Sequence, residues 1–159
     1  MIKHNYENKE ICSKCGGSCC KRLPGCCYPS DIKRLFPAKT IEESVLQALK
    51  SNKFCIDWYE DDNPLYFMRP CIKGKEGVWY DPAWGGICVF LEEGIGCALE
   101  HNKRPMVCRS IEPREGVGQC VSHIKENSKL VSGRLWKRSI DLGKFQETDF
   151  INKGTKTTK

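Results

Sequence analysis

The clearest pattern in this chain is the spacing of apolar residues in TIEESVLQALKSN, which begins at Thr40. Four of them fall on one face of a helix: Ile41, Val45, Leu46 and Leu49. Thr40 and Glu43 stand at the two positions of a capping box, in which side chains bind backbone amides at the start of a helix. The spacing and the cap together predict an amphipathic helix here.

Two further stretches carry helical signals. In YPSDIKRLFP, Ser30 is a candidate N-cap and Pro37 is a stop signal, which predicts a helix of under two turns. In ENSKLVSGRLWKRSIDLGKF, four apolar residues are spaced roughly helically: Leu130, Val131, Leu135 and Trp136. Gly133 lowers the helical propensity of this second stretch by about 1 kcal/mol relative to alanine. We nevertheless expect a helix in each stretch.

Short runs rich in aromatic and β-branched residues predict strands. FCIDWYE and PLYFMRP lie on either side of the turn signal DDNP, so we expect them to pair as a hairpin. We expect another strand at ICVFLEE, reached through an irregular loop and followed by a turn at EGIG. Together with the helices, these elements predict an α+β fold with short helices and a small antiparallel sheet.

The composition is that of one small domain. The chain has 159 residues, of which 40% are hydrophobic and 29% charged, and one domain commonly takes roughly 100–200 residues. We assign residues 1–150 to a single cysteine-cluster domain. Residues 151–159, which are polar from Asn152 onward, are predicted to form a disordered tail.

Hydropathy and charge suggest the location and the partners. No apolar run approaches the roughly 20 residues that cross a bilayer, and MIKHNYENKE lacks the apolar centre of a secretory signal. We therefore expect a cytoplasmic protein without a membrane partner. The net charge is +6, yet acidic stretches such as YEDD and LEEG dilute the basic residues. Nucleic-acid binding is accordingly the less favoured interpretation.

The feature that says most about function is the number of cysteines, twelve in all. In a reducing compartment, such density indicates metal or redox chemistry rather than a disulfide framework. The adjacent residues Cys19 and Cys20 are too constrained to close an unstrained bridge with each other. Cys12 and Cys15 form a C-x2-C pair, which can present two thiolates to one ion. Gly16 and Gly17 follow this pair and can adopt the positive φ angles that fold a chain back on a metal.

A second set of cysteines lies far along the chain, in GICVFLEEGIGCALEHNKRPMVCRSIEPREGVGQC. It consists of Cys88, Cys97, Cys108 and Cys120. Tetrahedral zinc sites and iron–sulfur clusters both take about four cysteine ligands, so spacing alone does not separate the two metals. We predict that the two sets together hold zinc or iron, as ions or as an iron–sulfur cluster. The metal would then staple a small, irregular domain.

The order of these motifs resembles a known family. The chain resembles the zinc- or iron-chelating cysteine-cluster proteins of the YkgJ-like (CxxCxxCC) family in five motifs, which occur in the order CSKCGGSCC, PSDI, GICVFL, GCALE and RPMVCR. The resemblance extends from about Cys12 to Cys120. The resemblance implies metal ligands at seven positions: Cys12, Cys15, Cys19, Cys20, Cys88, Cys97 and Cys108. Cys120, close behind the last motif, is an eighth candidate. This chain has three residues between Cys15 and Cys19, where the family pattern has two.

The remaining cysteines and one histidine have two interpretations each. Cys26 and Cys27 either supply a second site or pack in the interior, and packing is favoured. Cys55 and Cys71 lie in strand-like contexts, where ordinary burial is the better interpretation. His123 follows Cys120 in a C-x2-H arrangement, but a single histidine is more often a surface or packing residue.

Two arginines flank Cys108. Functionally, Arg104 and Arg109 would lower the pKa of nearby thiols and offset the charge of a multi-thiolate site. Their structural role would be ion pairing with three acidic residues nearby in the sequence: Glu100, Glu112 and Glu115. The two interpretations are compatible.

Three functions fit these observations. The favoured one is a metal-binding protein that uses its thiolates for structure, metal handling or redox sensing. The second is an iron–sulfur enzyme, either an oxidoreductase or a protein lysine N-methylase. The methylase is included because one branch of the family that this chain resembles is described as flagellin lysine N-methylases. The third is a zinc-stapled nucleic-acid-binding module. The chain contains no complete catalytic motif and no obvious glycine-rich cradle for S-adenosylmethionine, so whether it is an enzyme stays open.

Overall fold

The computed structural model describes residues 6–59, 63–83, 85–116 and 118–145. Within these ranges it contains six α-helices: α1 Lys9–Cys15, α2 Ser18–Arg22, α3 Pro29–Leu35, α4 Ile41–Lys50, α5 Met106–Arg109 and α6 Ser128–Ser139. It also contains six strands: β1 Phe54–Tyr59, β2 Leu65–Pro70, β3 Leu91–Glu92, β4 Gly96–Cys97, β5 Ile111–Glu112 and β6 Val121–Ser122. The predicted α+β fold is confirmed. The predicted disordered tail, residues 151–159, lies outside the described residues.

The strands pair two by two, as three separate antiparallel hairpins. The predicted hairpin of FCIDWYE and PLYFMRP is confirmed as β1 and β2, with Cys55 opposite Arg69 and Trp58 opposite Tyr66. Helices α4 and α6 contact this hairpin. The main hydrophobic core is formed there by residues that include Ile32, Leu49, Phe67, Met68 and Trp136.

The helix predicted at Thr40 is confirmed as α4. The Thr40 hydroxyl accepts a hydrogen bond from the Glu43 amide at 3.2 Å, whereas the Glu43 carboxylate reaches one residue further back, to the Lys39 amide. Val45 and Leu49 are fully buried. The apolar spacing and the hydroxyl cap therefore determine this helix, although only half of the capping box forms as predicted.

The helix predicted at YPSDI forms, but its start differs from the prediction. Helix α3 begins at Pro29, its N-cap is Tyr28, and Ser30 lies inside the first turn. Proline is well suited to the first helical position because its missing amide hydrogen needs no partner there. The Asp31 carboxylate, rather than Ser30, accepts the Tyr28 amide at 2.9 Å.

The late helix is confirmed as α6, and the structure gives its glycine a role. A Cβ atom on Gly133 would lie 2.8 Å from the Cβ atom of Leu65 in β2. The helix can therefore approach the hairpin closely only because residue 133 has no side chain. Trp136, one turn later, is fully buried in the core.

The strand predicted at ICVFLEE is much shorter than expected. Only Leu91 and Glu92 form β3, while Cys88 makes a single bridge with Ile72. Three short helices were not predicted: α1, α2 and α5. None of these helices has a buried residue, so no helical pattern of apolar side chains marks them in the sequence. No helix in the described part of the chain is long and apolar enough to span a membrane.

Candidate metal centre

All eight predicted ligands line one cavity of about 270 Å³. Helix α1 contributes Cys12 and Cys15, α2 contributes Cys19 and Cys20, and α5 contributes Cys108. Cys97 lies in β4, while Cys88 precedes β3 and Cys120 precedes β6. Apolar side chains such as Phe67, Phe90 and Val107 complete the wall. Residues far apart in the sequence are therefore brought to one thiol-rich cavity.

Two glycines place the first four of these cysteines. Gly16 and Gly17 both adopt left-handed backbone conformations, with φ of 66° and 74°. Gly16 ends α1 and Gly17 precedes α2, so the chain reverses between Cys15 and Cys19. The extra residue relative to the family pattern lies in this reversal, and it leaves Cys19 and Cys20 together in the first turns of α2.

Hydrogen bonds fasten these two helices to the distant segment. The Ser13 hydroxyl donates to the Gly94 carbonyl at 2.7 Å, which ties α1 to the turn between β3 and β4. The Cys88 amide donates to the Cys20 carbonyl at 2.8 Å. The backbone itself therefore brings one cysteine of the first set beside one of the second.

The Sγ atoms of Cys19 and Cys20 are 3.9 Å apart. In a tetrahedral thiolate site with metal–sulfur bonds of about 2.3 Å, neighbouring sulfurs are about 3.8 Å apart, so this spacing suits ligation. Among the described residues, however, no three Cys, His, Asp or Glu side chains are placed so that they could hold an ion as they stand. The thiols would therefore have to rotate within the cavity before they could ligate an ion.

Most of the thiols whose pKa is displaced favour the protonated form. Burial raises the pKa of Cys88 to about 11 and the pKa of Cys108 well above its ordinary value. A hydrogen bond with the Cys20 thiol lowers the pKa of Cys19 to about 6, and the same bond, together with burial, raises the pKa of Cys20. Since metals bind the thiolate, a divalent ion entering this cavity must displace protons from the buried thiols.

Asp31 positions the helix that carries Cys108. Its carboxylate is almost completely buried and accepts the Met106 amide at 3.1 Å from both oxygens. It also pairs with Arg34 at 2.9 Å and with Arg109 at 3.5 Å. Asp31 lies in the first turn of α3, where no local sequence signal indicates a partner 75 residues away.

Cys108 also meets the backbone of a loop. A Cβ atom on Gly25 would lie 2.4 Å from the Cys108 Sγ atom. Only glycine therefore leaves room for this sulfur where it stands at the wall of the cavity.

The arginines flanking Cys108 have other partners than those predicted. Arg104 pairs with Glu7 at 3.2 Å and donates from Nε to the Leu99 carbonyl. Arg109 pairs with Asp31. Two of the three acidic residues expected to pair with them bind elsewhere: Glu100 binds Lys103, and Glu112 binds Arg114 and His123. Arg104 lines the cavity, and its charge favours the thiolate forms of Cys12 and Cys19 against the effect of burial.

The remaining cysteines separate into two kinds. Cys26 is buried in the hydrophobic core, and it also lines the cavity beside Cys108. Cys27 belongs to the core, where its carbonyl accepts hydrogen bonds from Ser132 and Trp136, both at 2.8 Å. Cys55 and Cys71 are buried in and beside the hairpin of β1 and β2, and they do not line the cavity. The favoured interpretation of burial is thus confirmed for three of the four, and Cys26 has both features.

His123 does not line the cavity. Its Nε2 atom lies 2.7 Å from the Glu112 carboxylate, and its ring stacks on that of Tyr6 with centroids 4.4 Å apart. These contacts support the packing interpretation rather than metal ligation.

Comparison with known proteins identifies a family for most of the chain. The model of the CxxCxxCC family, described as a "putative zinc- or iron-chelating domain", matches residues 11–130. That range includes every cysteine lining the cavity. No curated protein and no solved structure matches the chain.

Proposed function

This chain belongs to the CxxCxxCC family of zinc- or iron-chelating domains, and we propose that it binds the metal through the eight predicted ligands in the cavity. They are Cys12, Cys15, Cys19, Cys20, Cys88, Cys97, Cys108 and Cys120. The observation that carries the proposal is that two cysteine sets, separated by most of the domain, line the same cavity.

The donors present suit these metals. Thiolates are preferred ligands of zinc and of iron in iron–sulfur clusters, while oxygen ligands suit magnesium and calcium. The space that Gly25 leaves at the Cys108 sulfur and the spacing of the Cys19 and Cys20 sulfurs both fit a thiolate site. Bound metal would supply a cross-link between the cysteine sets, and Arg104 would offset part of the negative charge of the thiolates.

We infer that this cross-link is structural. Helices α1, α2 and α5, which carry five of the proposed ligands, have no buried residue of their own. Structural zinc contributes apparent free energies of roughly 10–16 kcal/mol in small zinc fingers. A cytoplasmic location, also proposed, would keep the thiols reduced and available.

Elemental analysis of protein purified without oxygen tests this function, with metal-to-protein and sulfide-to-protein ratios measured together. We expect bound zinc or iron, lost in a Cys12→Ser, Cys108→Ser double variant and retained in the matched double variant Cys55→Ser, Cys71→Ser. Metal-free protein whose far-UV circular dichroism and thermal stability do not change on adding zinc or iron would refute the proposal.

The same measurement separates the alternatives. Iron with equimolar sulfide would favour the iron–sulfur enzyme, since such clusters contain both elements. Zinc without sulfide would favour a structural or chelating site. A nucleic-acid-binding module would in addition show association that weakens steeply with salt.

A further inference from the structure

We propose that Cys26 is a ninth metal ligand, and that it fastens the metal centre to the hydrophobic core. This inference rests on the proposed function, because it concerns the same metal and the same cavity. It goes beyond that function by adding a residue that the family resemblance does not include and for which the sequence favours simple packing.

The loop between α2 and α3 forms one wall of the cavity. Four consecutive residues of this loop line it: Leu23, Pro24, Gly25 and Cys26. Only 4% of the Cys26 surface is exposed, and of the nine cysteines that line the cavity Cys26 alone belongs to the hydrophobic core cluster. It therefore lies where the core meets eight other thiols, and metal sites of this kind are built from several thiolates that meet at one ion.

The next residue, Cys27, has different surroundings. It forms a bridge with Met68 of β2, in which its amide donates to the Met68 carbonyl at 2.7 Å. Successive side chains of an extended chain point to opposite sides. In agreement with this rule, Cys27 is fully buried in the core and does not line the cavity, whereas Cys26 does. Of these two neighbours, only Cys26 is placed to reach a metal in the cavity.

Cys26 also lies next to the contact that Gly25 makes with a proposed ligand. A Cβ atom at residue 25 would overlap the Cys108 sulfur, so this sulfur lies against the backbone one residue before Cys26. Consecutive Cα atoms are about 3.8 Å apart, which is also about the spacing of two sulfurs on one tetrahedral ion with metal–sulfur bonds of about 2.3 Å. Rotation about the Cα–Cβ bond moves the Cys26 sulfur without moving the loop.

The core holds this part of the loop in place. The Cys27 carbonyl accepts hydrogen bonds from Ser132 and Trp136, both at 2.8 Å. By contrast, α1, α2 and α5, which carry five of the eight predicted ligands, have no buried residue. A ligand that is already held in place costs less conformational entropy to bind. Cys26 would thus give the metal a fixed ligand, and the metal would link these helices to the hairpin of β1 and β2.

The full chain loaded with cadmium tests this assignment without any substitution. Soft metal ions prefer thiolate ligands, and the ¹¹³Cd nucleus couples to the β protons of the cysteines that bind it. Metal-free chain is loaded with ¹¹³Cd²⁺ under oxygen-free reducing conditions, and a ¹H–¹¹³Cd correlation spectrum is recorded. We expect signals from the β protons of Cys26 and none from Cys27. Signals from predicted ligands without any from Cys26 would overturn the inference. No uptake of cadmium, zinc or iron would instead overturn the proposed function.

Substituting the two neighbours separately gives a matched pair of variants. Loss of a group that only supports a ligand typically lowers metal affinity 10–100-fold, so loss of a ligand should lower it at least about tenfold. We expect this loss of Zn²⁺ affinity in Cys26→Ser, measured by competition with a coloured chelator, and an unchanged affinity in Cys27→Ser. An unchanged affinity in Cys26→Ser would contradict ligation by Cys26. The cadmium spectrum of the unsubstituted chain decides the assignment even if a variant fails to fold.

Discussion

Two regions of this molecule differ in what stabilises each of them. The hairpin region, β1 and β2 with α4 and α6, has six-residue strands and a continuous hydrophobic core. The cavity region, residues 9–22 and 88–122, has two-residue strands, and its helices α1, α2 and α5 have no buried residue. Apolar burial accounts for the first region. The second buries only a few side chains, Cys88 and Leu91 among them, and is joined by hydrogen bonds such as that of the Ser13 hydroxyl to the Gly94 carbonyl. The proposed metal should therefore matter most in this second region.

The largest effect should come from removing the metal. If the proposed metal supplies most of the cross-links of the cavity region, chelation should expose its backbone amides to exchange, at a cost on the scale of roughly 10 kcal/mol. Amides of β1, β2 and α4 should stay protected. Hydrogen exchange followed by mass spectrometry, with and without chelator, measures both regions at once. Equal loss of protection in the two regions would contradict this comparison.

The second effect concerns Asp31, which connects the two regions. Asp31→Ala removes the acceptor of the Met106 amide and leaves Arg109 without its carboxylate partner. We expect a loss of about 3 kcal/mol in the free energy of unfolding, together with weaker metal binding, because α5 is no longer held. Chemical denaturation and metal titration measure the two effects.

An exposed aspartate gives the matched control for Asp31. Asp141 accepts the Gly143 amide at 2.9 Å at the start of a short 3₁₀ turn, Leu142–Lys144. Asp141→Ala should cost no more than about 1 kcal/mol and leave metal affinity unchanged. If Asp31→Ala behaved like this control, α5 would not depend on the carboxylate.

The same division explains how much could be predicted from the sequence. Helices α4 and α6 bury helically spaced side chains, and β1 and β2 are runs rich in aromatic and β-branched residues on either side of a turn signal, so these elements are visible in the sequence. Helices α1, α2 and α5 bury nothing and carry no such pattern. Residue type and family resemblance led to eight of the nine cysteines that line the cavity, without needing a correct prediction of the local structure around them.

What the sequence could not show is contact between distant residues. The position of Cys26 at the cavity wall and the hydrogen bond from Met106 to Asp31 depend on how the two regions pack. Likewise, the sequence alone suggests only that Gly133 lowers the helical propensity of α6, whereas the structure shows that Leu65 lies too close for a side chain at this position. Three-dimensional packing decides these features, and local propensity contains no information on them.

The third prediction tests the hairpin region alone. In Gly133→Ala, the new methyl group would meet the Cβ atom of Leu65 at 2.8 Å. We expect a loss of about 1–2 kcal/mol in stability, because overpacking outweighs the better helical propensity of alanine. The metal content should not change, since the site lies in the cavity region. A variant more stable than the original chain would show that the helix can shift without cost.

The fourth prediction makes the matching change in the cavity region. In Gly25→Ala, the new methyl group would lie 2.4 Å from the Cys108 sulfur and displace it. We expect metal affinity to fall about tenfold, as for other substitutions that disturb the surroundings of a ligand. Competition with a coloured chelator measures the affinity. The stability of the metal-free hairpin region should stay the same, and loss of its protection from hydrogen exchange would contradict this expectation.

The smallest effect concerns pH and the buried ion pairs of the hairpin region. Arg69 binds Asp57 at 2.8 Å and Asp81 at 3.0 Å, and Lys75 also binds Asp81. Although burial acts to raise the pKa of Asp81, the hydrogen bonds and charges of Arg69 and Lys75 outweigh it, and the pKa lies below its ordinary value. The carboxylate therefore stabilises the fold above a pH of about 4, and this contribution is lost as the pH falls through the lowered pKa.

Asp81→Asn isolates that contribution. At pH 7 the variant should be less stable than the original chain by roughly 1 kcal/mol, because it lacks the charge that Arg69 and Lys75 bind. The difference should shrink as the pH falls below about 4, because the unfolded chain then takes up the proton, and it should vanish once the pH lies below the lowered pKa of Asp81 in the folded state. Acid also releases metal, but it does so in both proteins, so the difference between their urea unfolding curves reports Asp81 alone. A difference that stays constant with pH would mean that the ion pair with Arg69 contributes nothing to the stability of the hairpin region.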